Sequence, residues 1–324
     1  MSCNYILKNG NICKNSVKKS IKSIEYCTRH YNILIQTSDT TSYNTDILDD
    51  ILLVLNIEKT YCTFISKGTF SSVYKILLDN KYYALKIQYL KDNIKNIIYY
   101  EYLLLSQHFN NYDSIIKLYD GKKSYHYKNN SYSFIITELM YETLEERKKR
   151  HKFNINEIKE IGIQIIQIIK YIHDKKYLYI DLKPENIMFI NQHENIIKLI
   201  DFNCCSKYIN HLSEFYENSL LKSPIGNTIY SSININKSYS GIRIDDIESV
   251  LWILCYLLDY DIIKSIKNTK KNNKIISLKE QFINNINLDT SIHDFIILFI
   301  NELKTYNTLN NKKPYYDRFI EILK

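Results

Sequence analysis

The chain has 324 residues, of which 45% are hydrophobic, and its formal charge at neutral pH is +8. This length accommodates one two-lobed enzyme with a small appendage, and an excess of positive charge spread over so long a chain is more typical of a solvated surface than of a nucleic-acid face. The longest uninterrupted apolar run, from Val250 to Leu258, is far shorter than the ~20 residues of a membrane span, so a membrane-spanning protein is excluded.

Residues 1–35 are polar and rich in lysine, with too few apolar residues for a core. They lack the long apolar stretch of a secretory signal, so we expect a soluble intracellular protein whose seven cysteines are thiols or metal ligands rather than disulfides. Three thiols and an imidazole in this segment suit tetrahedral zinc, namely Cys3, Cys13, Cys27 and His30. The alternative is a disordered tail with chance thiols, and the basic residues of the segment also permit contact with nucleic acid or protein.

The segments that follow differ in their predicted secondary structure. The composition and apolar spacing of residues 36–57 predict a polar linker followed by a short helix that Asp46 can cap. Short β-branched and aromatic runs from Tyr61 to Ile87 predict hairpins, and a helix is predicted around Asn93 to Gln107. After Glu138 the pattern becomes helical, and one face of a long amphipathic helix is formed by Ile158, Ile161, Ile165, Ile168 and Ile172.

The stretch YIDLKPEN, residues 179–186, places an acid, a cation and an amide close together. This set suits transfer of a phosphoryl group to a hydroxyl. Asp181 can accept the hydroxyl proton, Lys183 can offset charge on the phosphoryl group, and Asn186 can hold a magnesium ion. Further along, Asp201 follows an apolar strand-like run in LIDFN, and a hard carboxylate of this kind also suits magnesium.

Two further residues precede this stretch. Lys86 follows Ala84 by two positions in a predicted strand, so both side chains face the same side. Glu101 is the only acid between Asp92 and Asp113, and it lies on the next predicted helix. A lysine and a glutamate placed in this way can pair and position phosphates.

These motifs, in this order, resemble the protein kinase fold. The resemblance implies an α+β, two-lobed architecture, with a strand-rich N-lobe at residues 58–139 and a helical C-lobe at residues 140–324. Residues 1–35, which resemble the short Cys-Cys-Cys-His zinc knuckles of proteins from large DNA viruses, would be a small appendage. It also implies that the protein uses ATP and Mg²⁺, with Lys86 on the α- and β-phosphates and Asn186 and Asp201 on magnesium. The remaining nucleotide contacts are assigned to Ile65, Gly68, Val73, Ala84, Glu138 and Leu139.

The chain departs from the kinase pattern at several positions. The loop ISKGTFSSVY, residues 65–74, retains only the middle glycine, Gly68, and taken alone such a stretch is more often a simple turn. Tyr179 and Ile180 replace the usual His-Arg, so we expect activity that does not depend on activation-loop phosphorylation. Asn203 replaces the glycine after Asp-Phe, and we expect it to preserve a left-handed turn.

Two functions fit this pattern. The first is an active serine/threonine kinase that phosphorylates protein substrates, and the second is a pseudokinase acting as a nucleotide-binding scaffold. The complete polar set, from Lys86 to Asp201, favours the active enzyme.

The sequence after the motifs resembles one group of kinases in particular. GNTIYSSININ, residues 226–236, and RIDDIESVLWILCYLL, residues 243–258, are similar to the casein kinase 1 group. Within that group the vaccinia-related kinases and their counterparts in large DNA viruses are the preferred neighbours. The resemblance implies that Asp246 braces the catalytic loop and, for a viral protein, predicts a location in the host cytoplasm or the virion.

Overall fold

The computed structural model describes residues 19–21, 24–26, 48–49, 51–68, 70–90, 95–127, 130–210, 212, 214–269, 271–286, 291–306 and 313–324. Two compact units are formed, one within residues 1–63 and 76–81 and the other within residues 64–75 and 82–324. No helix among the described residues is both long and apolar enough to cross a bilayer.

The smaller unit contains a short hairpin and a short helix. Strands β1 (Lys19–Ile21) and β2 (Ile24–Tyr26) pair in antiparallel fashion. Helix α1 includes residues 48–49 and 51–54. A 3-10 turn follows at Lys59–Tyr61. The predicted zinc ligands and the predicted helix cap lie outside the described residues, namely Cys3, Cys13, Cys27, His30 and Asp46.

A five-stranded sheet has the order β3-β4-β5-β7-β6. Its strands are β3 (Cys62–Lys67), β4 (Ser72–Leu78), β5 (Lys81–Leu90), β6 (Leu118–Tyr127) and β7 (Asn130–Glu138). In β5, burial of Tyr83, Leu85 and Ile87 on one face leaves Ala84 and Lys86 on the other, as the two-residue period of a strand requires.

Helix α2 (Ile97–Gln107) lies against β6 and β7. Its N-cap is Asn96, whose side chain accepts the N–H of Tyr99 at 2.9 Å. The helix therefore begins at Ile97 rather than around Asn93 as predicted, because the capping asparagine defines its start.

The second lobe is mostly helical. Its elements are β8 (Glu142–Thr143), α3 (Leu144–Arg150), α4 (Ile155–Asp174), β9 (Tyr177–Leu178), a 3-10 turn at Pro184–Asn186, β10 (Ile187–Phe189), β11 (Ile197–Leu199), β12 (Ser206–Lys207), α5 (Ile233–Asn236), α6 (Arg243–Leu257), α7 (Asp261–Lys267), α8 (Asn272–Asn284), α9 (Asp294–Leu303) and α10 (Tyr316–Leu323). The predicted order, a strand-rich lobe followed by a helical lobe, is confirmed.

Helices α4 and α6 form the centre of this lobe. A capping box between Asn154 and Glu157 starts α4, and its isoleucine face is buried as predicted. At Gly162 a Cβ atom would come within 2.9 Å of side-chain carbons of Leu254 on α6 and Leu323 on α10. This glycine therefore allows the three helices to pack closely, and they support the loops that carry the polar motifs.

Candidate active site

Lys86 is a nearly buried lysine that contacts two carboxylates from distant parts of the chain. Its Nζ donates to Oε2 of Glu101 at 2.8 Å and to Oδ1 of Asp201 at 3.0 Å. Burial disfavours the charged form of Lys86, but the nearby carboxylates of Asp201 and Glu101 outweigh this effect, so its pKa is raised. The side chain is therefore a permanent cation in a fixed position.

The two carboxylates around Lys86 differ in their electrostatics. Burial raises the pKa of Glu101, whose other oxygen accepts the N–H of Phe202 at 3.2 Å. Burial also acts to raise the pKa of Asp201, but Lys86 outweighs it, and that pKa is lowered. Asp201 is consequently ionised at neutral pH, as a carboxylate that binds a divalent cation must be.

The left-handed turn in LIDFN falls on Asp201, with φ of 60°, and Asn203 does not adopt a positive φ. The expectation that Asn203 preserves this turn is therefore wrong. The side-chain amide of Asn203 instead donates to Oδ1 of Asp201. Its contact with the carboxylate, rather than its tolerance of left-handed angles, is what this asparagine contributes.

Asp181 is 6% exposed and is surrounded by hydrogen-bond donors. Its Oδ2 accepts from Lys183 Nζ at 2.7 Å and from Asn186 Nδ2 at 3.1 Å, while its Oδ1 accepts the N–H of Asn227 at 2.8 Å. Burial acts to lower the pKa of Lys183, but Asp181 outweighs it and the pKa is raised. Lys183 and Asn186 of DLKPEN thus cluster around the carboxylate of Asp181.

The backbone before Asp181 is held by Asp246 on α6, the contact that the casein kinase 1 resemblance implies. The carboxylate of Asp246 accepts the N–H groups of Tyr179 and Ile180, each at 2.8 Å. Ile180 has φ of 71°, a left-handed conformation that is strained for a β-branched residue. Asp246 therefore stabilises a backbone conformation that the local sequence alone would not favour.

Tyr179 and the backbone of Asn186 connect the loop to the segment before Asp201. The hydroxyl of Tyr179 donates to the carbonyl oxygen of Ile200 at 2.5 Å, and its ring contacts Phe202 with centroids 5.5 Å apart. The N–H of Ile200 donates to the carbonyl oxygen of Asn186 at 3.0 Å. These contacts bring the chain segments of Asn186 and Asp201, the two predicted magnesium ligands, together.

The predicted nucleotide-binding residues lie on the sheet and at its end. Gly68 follows β3, and its N–H donates to the carbonyl oxygen of Ser71 at 2.8 Å. On the flanking strands, the side chain of Ile65 is exposed and that of Val73 is half-buried. Ala84 is paired with Thr137 across β5 and β7. Glu138 is the last residue of β7, and Leu139 follows it. The Nζ atom of Lys198 donates to the carboxylate of Glu138 at 2.5 Å.

Sequence reasoning missed several residues around the site. Asn227 holds Asp181, and its neighbour Gly226 has φ of 72°, where a Cβ atom would lie 3.1 Å from Oδ1 of Asp181. The Gly-Asn pair inside GNTIYSSININ was the available signal. Tyr316 on α10 contacts His173, which in turn contacts Asp246 at 2.8 Å, and no local signal predicted that link.

Known proteins resemble this chain in sequence and in fold. A family model described as "Protein kinase domain" matches residues 61–310. A probable casein kinase I homolog from Encephalitozoon cuniculi is 31% identical over 206 residues, covering 62% of this chain and 62% of the relative. A probable serine/threonine-protein kinase from Fowlpox virus is 31% identical over 181 residues, covering 53% of this chain and 59% of the relative.

A solved structure, that of vaccinia related kinase 3, shares the fold with a TM-score of 0.66. It is 13% identical, and the match covers 82% of this chain and 87% of that chain. The chain thus matches less than two thirds of the length of the two curated relatives, while the fold match extends over most of it.

Proposed function

This chain belongs to the protein kinase family, and from that premise we propose that it is an active serine/threonine kinase. Its substrates are Mg-ATP and proteins that present a hydroxyl group, and the reaction is transfer of the terminal phosphoryl group to that hydroxyl. The observation that carries the proposal is the position of Lys86, whose Nζ lies 2.8 Å from Glu101 and 3.0 Å from Asp201.

Each polar residue has a role that its surroundings allow. Lys86 would bind phosphate oxygens, because its charge is permanent and its orientation is held by Glu101. Asp181 would orient the substrate hydroxyl and accept its proton, while Lys183 would offset negative charge beside it. Asn186 and Asp201 would hold Mg²⁺, which supplies neutralisation of phosphate charge when it is bound.

The competing proposal is a pseudokinase that binds nucleotide as a scaffold. Two observations favour it. Gly68 is the only glycine that remains in the loop of residues 65–74, and the side-chain amide of Asn203 donates a hydrogen bond to Oδ1 of Asp201, the oxygen that Lys86 also contacts. Incubation of purified protein with labelled ATP and Mg²⁺, with and without casein, distinguishes the two. Transfer of label to protein supports the active kinase, and nucleotide binding without any transfer supports the scaffold.

Membership of the casein kinase 1 group is part of the proposal. The side chain of Asn234 donates to Asp245 on α6 at 2.7 Å, so the Ser232-Ile233-Asn234 run is joined to the RIDDIES helix. Within the run, Ser232 caps α5. The relative from Encephalitozoon cuniculi supports the same placement. A viral source, an intracellular location and a nucleic-acid or protein contact through residues 1–35 stay predictions.

We expect activity that is independent of activation-loop phosphorylation. Apolar contacts among Leu178, Ile180, Tyr208 and Ile235 hold the segment after Asp201, β12 pairs with β9, and the hydroxyl of Tyr208 donates to the carbonyl oxygen of His173 at 2.6 Å. Because these contacts need no phosphate, phosphatase-treated enzyme should keep its rate on an exogenous substrate within about twofold. A large loss that autophosphorylation restores would contradict this expectation.

We also expect residues 1–35 to bind zinc through Cys3, Cys13, Cys27 and His30. A segment of this size and polarity cannot bury enough apolar surface to order itself, so metal binding would supply the folding free energy. Elemental analysis of the full chain should find about one zinc per chain, and the Cys27→Ser variant should lose it. Equal metal content in the two proteins, or none in either, would identify the segment as a tail without a metal site.

A further inference from the structure

Gln88 is a polar side chain on β5 that is only 1% exposed. It lies two positions after Lys86 and so faces the same side of the strand. Its Oε1 accepts the N–H groups of Ile97 at 3.0 Å and Ile98 at 3.2 Å, and its Nε2 donates to the carbonyl oxygen of Lys95 at 2.9 Å. A single amide thus binds both backbone donors and a backbone acceptor at the start of helix α2.

Helix α2 depends on this amide because its own sequence supplies little at that end. The first N–H groups of a helix have no partner within the helix. The side chain of Asn96 accepts the N–H of Tyr99, and the first turn of α2 contains no acidic residue. Without Gln88, two donors at the start of the helix would lose their acceptor, and a buried unsatisfied donor is costly.

The position of α2 matters because the helix carries Glu101. Two other residues of α2 contact the site or the segment after it: Glu101 contacts Lys86 and the N–H of Phe202, and the hydroxyl of Tyr100 donates to the carbonyl oxygen of Cys205 at 2.8 Å. Gln88 differs from these, because it fixes the start of the helix to the strand that carries Lys86. The strand therefore holds α2 at two points, one at its start and one a turn later.

We propose that Gln88 is a positioning residue that keeps Glu101 in contact with Lys86 by fixing the start of α2 to β5. The inference rests on the proposed kinase function for its consequence, which is alignment of the ATP phosphates. Gln88 acts through α2 and Glu101, without a contact to the reacting atoms.

The experiment compares three variants of the full chain. Gln88→Leu removes the amide but keeps the side-chain bulk. Gln88→Glu keeps an acceptor for Ile97 and Ile98, and a negative charge is favourable at a helix start. The matched control is Gln164→Leu on α4, where the amide donates to the carbonyl oxygen of Asn195 at 2.7 Å and accepts the N–H of Ile197 at 3.1 Å. Thermal unfolding of each variant establishes that it is folded.

Hydrogen exchange of α2 is the primary measurement, because it does not require catalysis. In Gln88→Leu the amides at the start of α2 should exchange at least about tenfold faster, and those of α6 should be unchanged. Gln88→Glu should restore most of the protection, and Gln164→Leu should leave α2 unaffected. Unchanged α2 exchange in a folded Gln88→Leu protein, or equal acceleration in the Gln164→Leu control, would overturn the proposal.

Steady-state kinetics then separates this inference from the proposed function. Gln88→Leu should lower kcat/KM for ATP by about tenfold, with the KM for the protein substrate unchanged. If α2 exchanges faster in Gln88→Leu but the wild-type protein itself transfers no phosphate, the anchoring role of Gln88 stands and the proposed kinase activity is refuted. Faster exchange with unaltered ATP kinetics in an active enzyme would show that the anchor does not serve nucleotide positioning, and the proposal would fail.

Discussion

Replacement of Asp181 by asparagine is expected to reduce phosphoryl transfer by at least about 100-fold, because a general base typically contributes 10²–10⁴-fold. In the structure both oxygens of this carboxylate accept hydrogen bonds, from Lys183 and Asn186 on one side and from Asn227 on the other. An asparagine side chain cannot accept the substrate proton, and its amide nitrogen would face one of these donors. Transfer of labelled phosphate to casein measures the loss.

The control for this variant is Asp174→Asn. Asp174 forms an exposed ion pair with Lys170 at 2.9 Å on α4, and such pairs contribute little to stability. The control should retain its rate within about twofold, and both variants should bind nucleotide and unfold cooperatively. If Asp181→Asn transferred phosphate as fast as the wild type, Asp181 would not be the base and the active-kinase proposal would lose its central residue.

The second large effect is expected for Lys86→Met, which should reduce kcat/KM for ATP by at least about 100-fold. Lys86 is the cation between Glu101 and Asp201, so its removal leaves two nearby carboxylates without a shared partner. The pKa of Glu101, already raised by burial, should rise further because the favourable charge is gone. The variant should therefore lose both the phosphate ligand and the alignment of α2.

Lys170→Met, from the same exposed pair as the first control, is the matched substitution. Titration with nucleotide and the phosphotransfer assay together separate binding from catalysis. A Lys86→Met protein with full activity would be incompatible with the role proposed for Lys86. If Lys86→Met loses nucleotide binding and the wild-type protein binds nucleotide but transfers no phosphate, the results would instead point to the scaffold function.

The local chemistry of the site was readable from the chain alone. The DLKPEN stretch brings Asp181, Lys183 and Asn186 together through backbone connectivity, and the two-residue period of a strand places Ala84 and Lys86 on one face of β5. The isoleucine pattern of α4 predicted a buried face in the same way. In each case the geometry follows from the repeat of one element, so residue spacing is sufficient to predict it.

Backbone conformation at the special positions was not predictable from residue preference. Asparagine tolerates left-handed angles, yet the left-handed residues other than glycine at the site are Ile180 and Asp201, with φ of 71° and 60°. The N–H of Ile180 donates to the carboxylate of Asp246 on α6, which lies 66 residues further along the chain. A favourable tertiary hydrogen bond of this kind can outweigh the intrinsic preference of a residue.

Only the tertiary structure decided which partners the buried polar groups have. The sequence marks Gln88, Asn227 and Tyr316 as groups that need a hydrogen bond once they are removed from water. The amide of Gln88 binds the start of α2, and the side-chain amide of Asn227 donates to Asp181 at 3.3 Å. Tyr316 contacts His173 across 143 residues. Burial makes a partner obligatory, whereas its identity depends on which elements pack together, and that information is absent from local spacing. The sequence by itself therefore determined the reactive groups and the lobes that carry them, and packing determined how those groups are held.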